Sequence, residues 1–81
     1  MAESRRIAII ERALEDAMER LAELPTSSRV LVLKGRVLAY QRVLRTWETR
    51  PPREEQRTAM VDLVLELNIA VMRAAEDAGA L

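Results

Sequence analysis

The sequence predicts an all-α fold, a three-helix antiparallel bundle over approximately residues 4–24, 27–49 and 52–78, and three observations carry that reading. Apolar residues recur at alternating steps of three and four along most of the chain, the spacing that lines one side of a helix. Two proline signals, Leu24-Pro25 and Pro51-Pro52, interrupt the pattern. The charges separate at the same two points: residues 1–24 carry four Arg against six Asp and Glu, residues 25–53 seven Lys and Arg against Glu48 alone, and residues 54–81 two Arg against six acids. A net charge of zero thus hides an acidic, a basic and an acidic block, and neighbouring helices of opposite sign select one another.

In the first segment Ile7, Ile10, Leu14, Ala17, Leu21 and Leu24 form one stripe. Ser4 is a candidate N-cap, and Pro25 forces Leu24 out of the α region. Thr26, Ser27 and Ser28 are candidate caps for the second segment, whose stripe is Val30, Leu33, Val37, Tyr40, Leu44 and Trp47. Gly35 interrupts that helix at a cost of about 1 kcal/mol relative to Ala. Tyr40 and Trp47, the only aromatics, read as core fillers. The third segment starts at Pro51-Pro52 with Glu54 and Glu55 in its first turn, where proline and carboxylates are both favoured. Gly79 marks its stop, and Glu76 and Asp77, at the wrong end for the helix dipole, predict a frayed last turn.

That third segment is too apolar for one core. Met60, Val61, Leu63, Val64, Leu65, Leu67, Val71 and Met72 cover roughly twice the ~100° stripe that a bundle helix needs. Asp62, Glu66 and Arg73 share one narrow strip with Ile69. The surplus predicts that the bundle is completed by homodimerisation through the third helix, with Met60, Val64, Leu67, Asn68, Val71 and Met72 as the interface. Asn68 inside that surface has two readings, an amide paired across a two-fold axis that fixes register, or an amide at the rim bonded to water or backbone. Chain length agrees. One domain, residues 1–81, buries only about 60 to 65% of its unfolded surface, and a core that small gains from a partner.

Function is bounded mostly by what is missing. Without Cys or His there is no thiolate or imidazole metal site and no triad built on either residue, so no catalytic, cofactor-binding or metal-ligating residues are assigned. The ladder Glu11, Glu15, Glu19, Glu23 is interleaved with Arg12 and Arg20 and reads as a solvated face. No apolar run approaches the ~18 residues needed to span a bilayer, and the first residues lack the apolar stretch of a signal peptide, so the expected location is the cytoplasm.

The best reading is a non-enzymatic protein–protein interaction module, a small adaptor, regulator or inhibitor acting as a helical homo-oligomer. The second face of the second helix, where Leu31 and Leu38 stand one heptad apart beside Lys34, Arg42 and Arg45, is the candidate partner-binding site. An apolar centre with a cationic edge suits an acidic amphipathic helix. The alternative is a dimeric nucleic-acid-associated regulator using the basic second helix. It is less favoured, because the chain has no net positive charge and no basic tail. A remote alternative is a cofactor-free helical enzyme with a cationic pocket. Arg53-Glu54 is similar to the Arg-Glu pair of the small helical chorismate mutases, but Pro25 breaks the long first helix of that family and the basic residues are spaced differently, so no family is assigned.

Overall fold

Each apolar stripe becomes one helix. The structure, a computed structural model, describes residues 2–79, and side chains from residue 5 onward. Helix α1 is Ala2–Ala22, α2 is Ser28–Thr46 and α3 is Glu54–Asp77, and each packs against both others, with no strand among the described residues. Arg29 at the start of α2 bonds Asp77 at the end of α3, so these two run antiparallel. Glu11 and Glu15 share a groove with Arg45 and Glu48, so α1 and α2 are antiparallel as well. The bundle measures 39 × 18 × 18 Å, a length set by α3.

The core is where the stripes converge. Ile10, Leu14, Ala17, Leu21 and Leu24 come from α1 and the turn after it, Val30, Leu33, Val37, Leu44 and Trp47 from α2 and its cap, and Met60, Val64, Leu67, Val71, Ala74 and Ala75 from α3. Ile7 and Tyr40, expected in the stripes, are half-buried and pack against this core. No polar or charged residue is buried among the described ones. The small residues Ala74 and Ala75 let α3 approach the α1–α2 turn, where Pro25 and Val30 border the same shallow depression as Ala74.

Helix limits differ from expectation by two or three residues at several ends, each with a local cause. α1 begins at Ala2, so Ser4 lies inside its first turn rather than at its cap; the Ser4 side chain is outside the described residues. α2 starts where Ser27 Oγ accepts a hydrogen bond from the Val30 N–H at 3.2 Å, which selects Ser27 among the three candidate caps. It ends at Thr46, and the hydroxyls of Thr46 and Thr49 donate to the Val43 and Thr46 carbonyls as the chain turns. Pro51 and Pro52 precede α3 instead of filling its first turn. The N-cap is Arg53, whose backbone N–H donates to Gln56 Oε1 at 2.8 Å.

At the other end, Gly79 takes the left-handed conformation, φ 73°, that a residue with a Cβ adopts only under strain. The last turn of α3 is regular through Asp77. There the Arg29 guanidinium meets the Asp77 carboxylate and places a cation at a helix end that has none of its own.

A Cβ added at Gly35 meets nothing within 4 Å. Gly35→Ala should therefore stabilise the fold by up to about 1 kcal/mol, since it removes backbone freedom from the unfolded chain without a clash. Ser27→Ala should cost about 1 kcal/mol through the lost cap. Urea titrations of both variants check the two signs.

Candidate functional site

Chemistry-bearing clusters are scarce, and apolar surface is abundant. Among the described residues no group of three or more Asp and Glu converges in a way that could hold a metal ion. Ten large hydrophobic side chains of the described residues are exposed instead; nine gather on two sides of the bundle, and Leu63 stands apart on the flank of α3 turned away from Val61 and Leu65.

The first side is the α1/α3 face. The sequence assigned Met60, Val64, Leu67 and Val71 to a dimer interface, and here a correction is needed. All four are buried against α1 and α2, with Leu67 fully covered, so the chain's own core uses them. Of the expected set, only Met72 (46% exposed) and half-buried Asn68 face outward. The uncovered surface is the stripe one residue further on: Val61, Leu65, Asn68 and Met72, with Ile69 at its margin. Ile9 of α1, 68% exposed, stands across from it.

Between the two helices lies an apolar groove of ≈ 320 Å³ lined by Ile9, Ile10, Ala13, Val61, Val64 and Leu65, with Asn68 at one end. Arg6 and Arg57 border it, and the Arg57 Nη1 donates to the Pro52 carbonyl at 3.0 Å. Because the N-terminal half of α1 and the N-terminal half of α3 line it together, these helices run parallel. Ile9 was missed in the sequence because it falls outside the first-segment stripe. Val61 and Leu65 were recognised as surplus but assigned to no site.

The second side is the outer face of α2. Leu31 (57%) and Leu38 (53%) are exposed and no other helix covers them. Arg42 and Arg45 are exposed beside them and Lys34 is half-buried. Val32 and Val43 are also uncovered and widen the apolar area beyond the expected pair. Arg29 and Arg36 are exposed on its far edge. The patch therefore has basic residues along both margins.

Charge matching between helices is partial. Arg29 pairs with Asp77 between α2 and α3, and Arg45 shares the α1/α2 groove with Glu11, Glu15 and Glu48 without a direct ion pair. The remaining ion pair among the described residues, Arg12–Asp16 at 3.4 Å, lies within α1. Asp62, Glu66 and Arg73 are exposed on the outer edge of α3, away from the basic block. Among the described residues no helix is long and apolar enough to cross a membrane.

Comparison with known proteins adds no further constraint: no protein-family model, curated protein or solved structure matches the chain.

Exposure decides what Leu38 does for stability. A leucine half in water loses little on truncation, so Leu38→Ala should change unfolding free energy by about 0.5 kcal/mol or less, whereas Leu14→Ala, at a fully buried site, should cost about 2 to 5 kcal/mol. Thermal or urea melts of the two variants measure the contrast. A large loss for Leu38→Ala would mean that the α2 face is covered in solution.

Proposed function

We propose that this chain is a non-enzymatic protein–protein interaction module that works as a homodimer, joined through the α1/α3 face and presenting the outer face of α2 to another protein. The observation that carries the reading is the second apolar stripe of α3, Val61, Leu65, Asn68 and Met72, which stays uncovered after the core has closed. Monomeric proteins rarely leave contiguous apolar surface of this kind in water. The stripe runs from Val61 to Met72, about 16 Å along α3, and Ile9 of α1 extends it across the groove.

The α2 face has a different chemistry and calls for a different occupant. Leu31 and Leu38 form one apolar row and Val32 and Val43 a second, with Arg42 between them and Lys34, Arg45 and Arg36 at the outer margins. An acidic amphipathic helix matches both features, with its apolar stripe on the leucines and its carboxylates against the guanidinium margins. Binding seated on apolar surface persists as salt is raised, which separates this occupant from a nucleic acid, whose affinity falls steeply.

Light scattering at micromolar concentration should give about twice the 9.2 kDa chain mass. Leu65→Glu should yield a monomer that keeps its helical circular dichroism, because Leu65 is 56% exposed within the chain. Leu67→Glu places a charge in the core and should abolish the fold itself. A wild-type monomer with a cooperative melt would remove the basis for this reading.

A further inference from the structure

From the pattern of residues on α3 we infer that the two copies pair antiparallel, α3 on α3, with Met72 of each copy seated in the α1/α3 groove of the other and Arg73 of each beside Asp62 of the other. The inference rests on the homodimer reading and adds its direction, register and contacts.

The outward stripe of α3 is spaced four, three, four: Val61, Leu65, Asn68, Met72. This is the a/d pattern of a two-stranded seam, and in an antiparallel pair each a position lies level with a d position of the other strand. A two-fold axis between the levels of Leu65 and Asn68 satisfies that rule for all four residues. Val61 then lies level with the partner's Met72, and Leu65 with the partner's Asn68.

The groove fixes what this register means. Its walls, Ile9, Ile10 and Ala13 on α1 and Val61, Val64 and Leu65 on α3, centre on the level of Val61. The partner's Met72 arrives at that level, and methionine, unbranched and polarisable, suits an irregular apolar gap. Both Asn68 side chains fall on the α1 side of the seam, about 4.5 Å apart along the axis, where two amides can bond each other near the two-fold.

Charge independently selects the same direction. Asp62, Glu66 and Arg73 share the opposite edge of α3, all exposed, and none makes an ion pair among the described residues. Asp62 and Glu66 are like charges at i, i+4, a mildly unfavourable pair as long as no cation lies near. Arg73 is eleven residues from Asp62, about 16 Å along the helix, too far to relieve it. In the antiparallel pair equivalent edges meet, and the partner's Arg73 comes within about 3 Å of the Asp62 level along the axis. A parallel two-fold sets each of these charges level with its own copy and leaves Asp62 and Glu66 uncompensated by that arginine.

The chain has no cysteine, so single cysteines report on geometry without background. Val61→Cys and Met72→Cys chains would be mixed, oxidised under mild conditions and weighed by mass spectrometry. The expected product is the mixed 61–72 disulfide, with no 61–61 product, since those two sites lie about 16 Å apart in the antiparallel register and a disulfide needs Cα atoms within about 7 Å. A dominant 61–61 disulfide means a parallel dimer, and no cross-link in a species that scatters as a dimer means that α3 is not the seam. Either result overturns the inference; the first leaves the α1/α3 homodimer reading intact, the second leaves dimerisation but not the α3 face as its seat, and a monomer by scattering removes both. As a second measurement, Arg73→Asp should raise the dimer dissociation constant about tenfold, and adding Asp62→Arg in the same chain should restore it to within about threefold of wild type. Failure of the second change to restore association overturns the assigned pair.

Discussion

Everything in this molecule depends on the contact between three apolar stripes along one axis. Leu14 and Leu21 from α1, Val37 from α2, and Leu67 and Val71 from α3 are the most deeply covered side chains. No disulfide or buried polar network shares that task among the described residues. Most of a helix's stability in a protein comes from packing its amphipathic face, so each of these helices, 19 to 24 residues long, is held by the face it gives to the others. Because a helix presents only one stripe to a core formed by two neighbours, that contact also decides what is left outside. For α1 and α2 the remainder is largely polar or mixed. For α3 it is a second stripe of the same kind as the first.

The two α3 stripes differ by a single step. Met60, Val64, Leu67 and Val71 face in, while Val61, Leu65, Asn68 and Met72 stand about 100° further round and face out. Asn68 accounts for the choice. If the second stripe were inward, its amide would have to be desolvated among leucines and valines with no bonding partner from α1 or α2, at a cost of roughly 1 to 3 kcal/mol. Facing out, it is half-buried at the end of the groove, where a partner or water satisfies it.

The sequence was legible wherever one pattern had one solution. The stripes of α1 and α2 reappear in the core with only Ile7 and Tyr40 half-exposed, and both inter-helix breaks fall where the prolines put them. Helix ends were read two or three residues too far at Pro52 and Thr49, because the Gln56 side chain caps α3 at Arg53, just after the proline pair, and side-chain hydroxyls can close a helix earlier than the apolar period suggests. The surplus on α3 was visible from composition, but its position was not: stripes starting at 60 and at 61 have identical spacing, so periodicity alone cannot say which is inside. The polar position in one of them carried that information, but Asn68 was read, as a register device or as a rim amide, within a single apolar surface, and neither reading was used to tell the two stripes apart. Ile9 was invisible for another reason. It lies beside the α1 stripe and matters only because α3 runs parallel to α1 and brings Val61 and Leu65 opposite it.

A small core with two uncovered apolar sides has a consequence for how its binding events communicate. The α1/α3 face and the outer face of α2 share no residue, so occupation of one does not block the other. They are joined through the core: Val37 and Leu44 behind the α2 patch belong to the same buried cluster as Val64 and Val71 behind the α3 stripe. Any ligand that binds only the folded chain stabilises all three helices at once, in proportion to its concentration over its dissociation constant. Association on one side therefore raises the folded population available to the other without a change in shape. The Arg29–Asp77 contact, which ties the start of α2 to the end of α3, is the place where the basic block and an acidic block meet directly. Its energetic weight is small because both side chains are exposed; the placement of the two surfaces is set by the core, and the pair lies where that packing brings the two helix ends together.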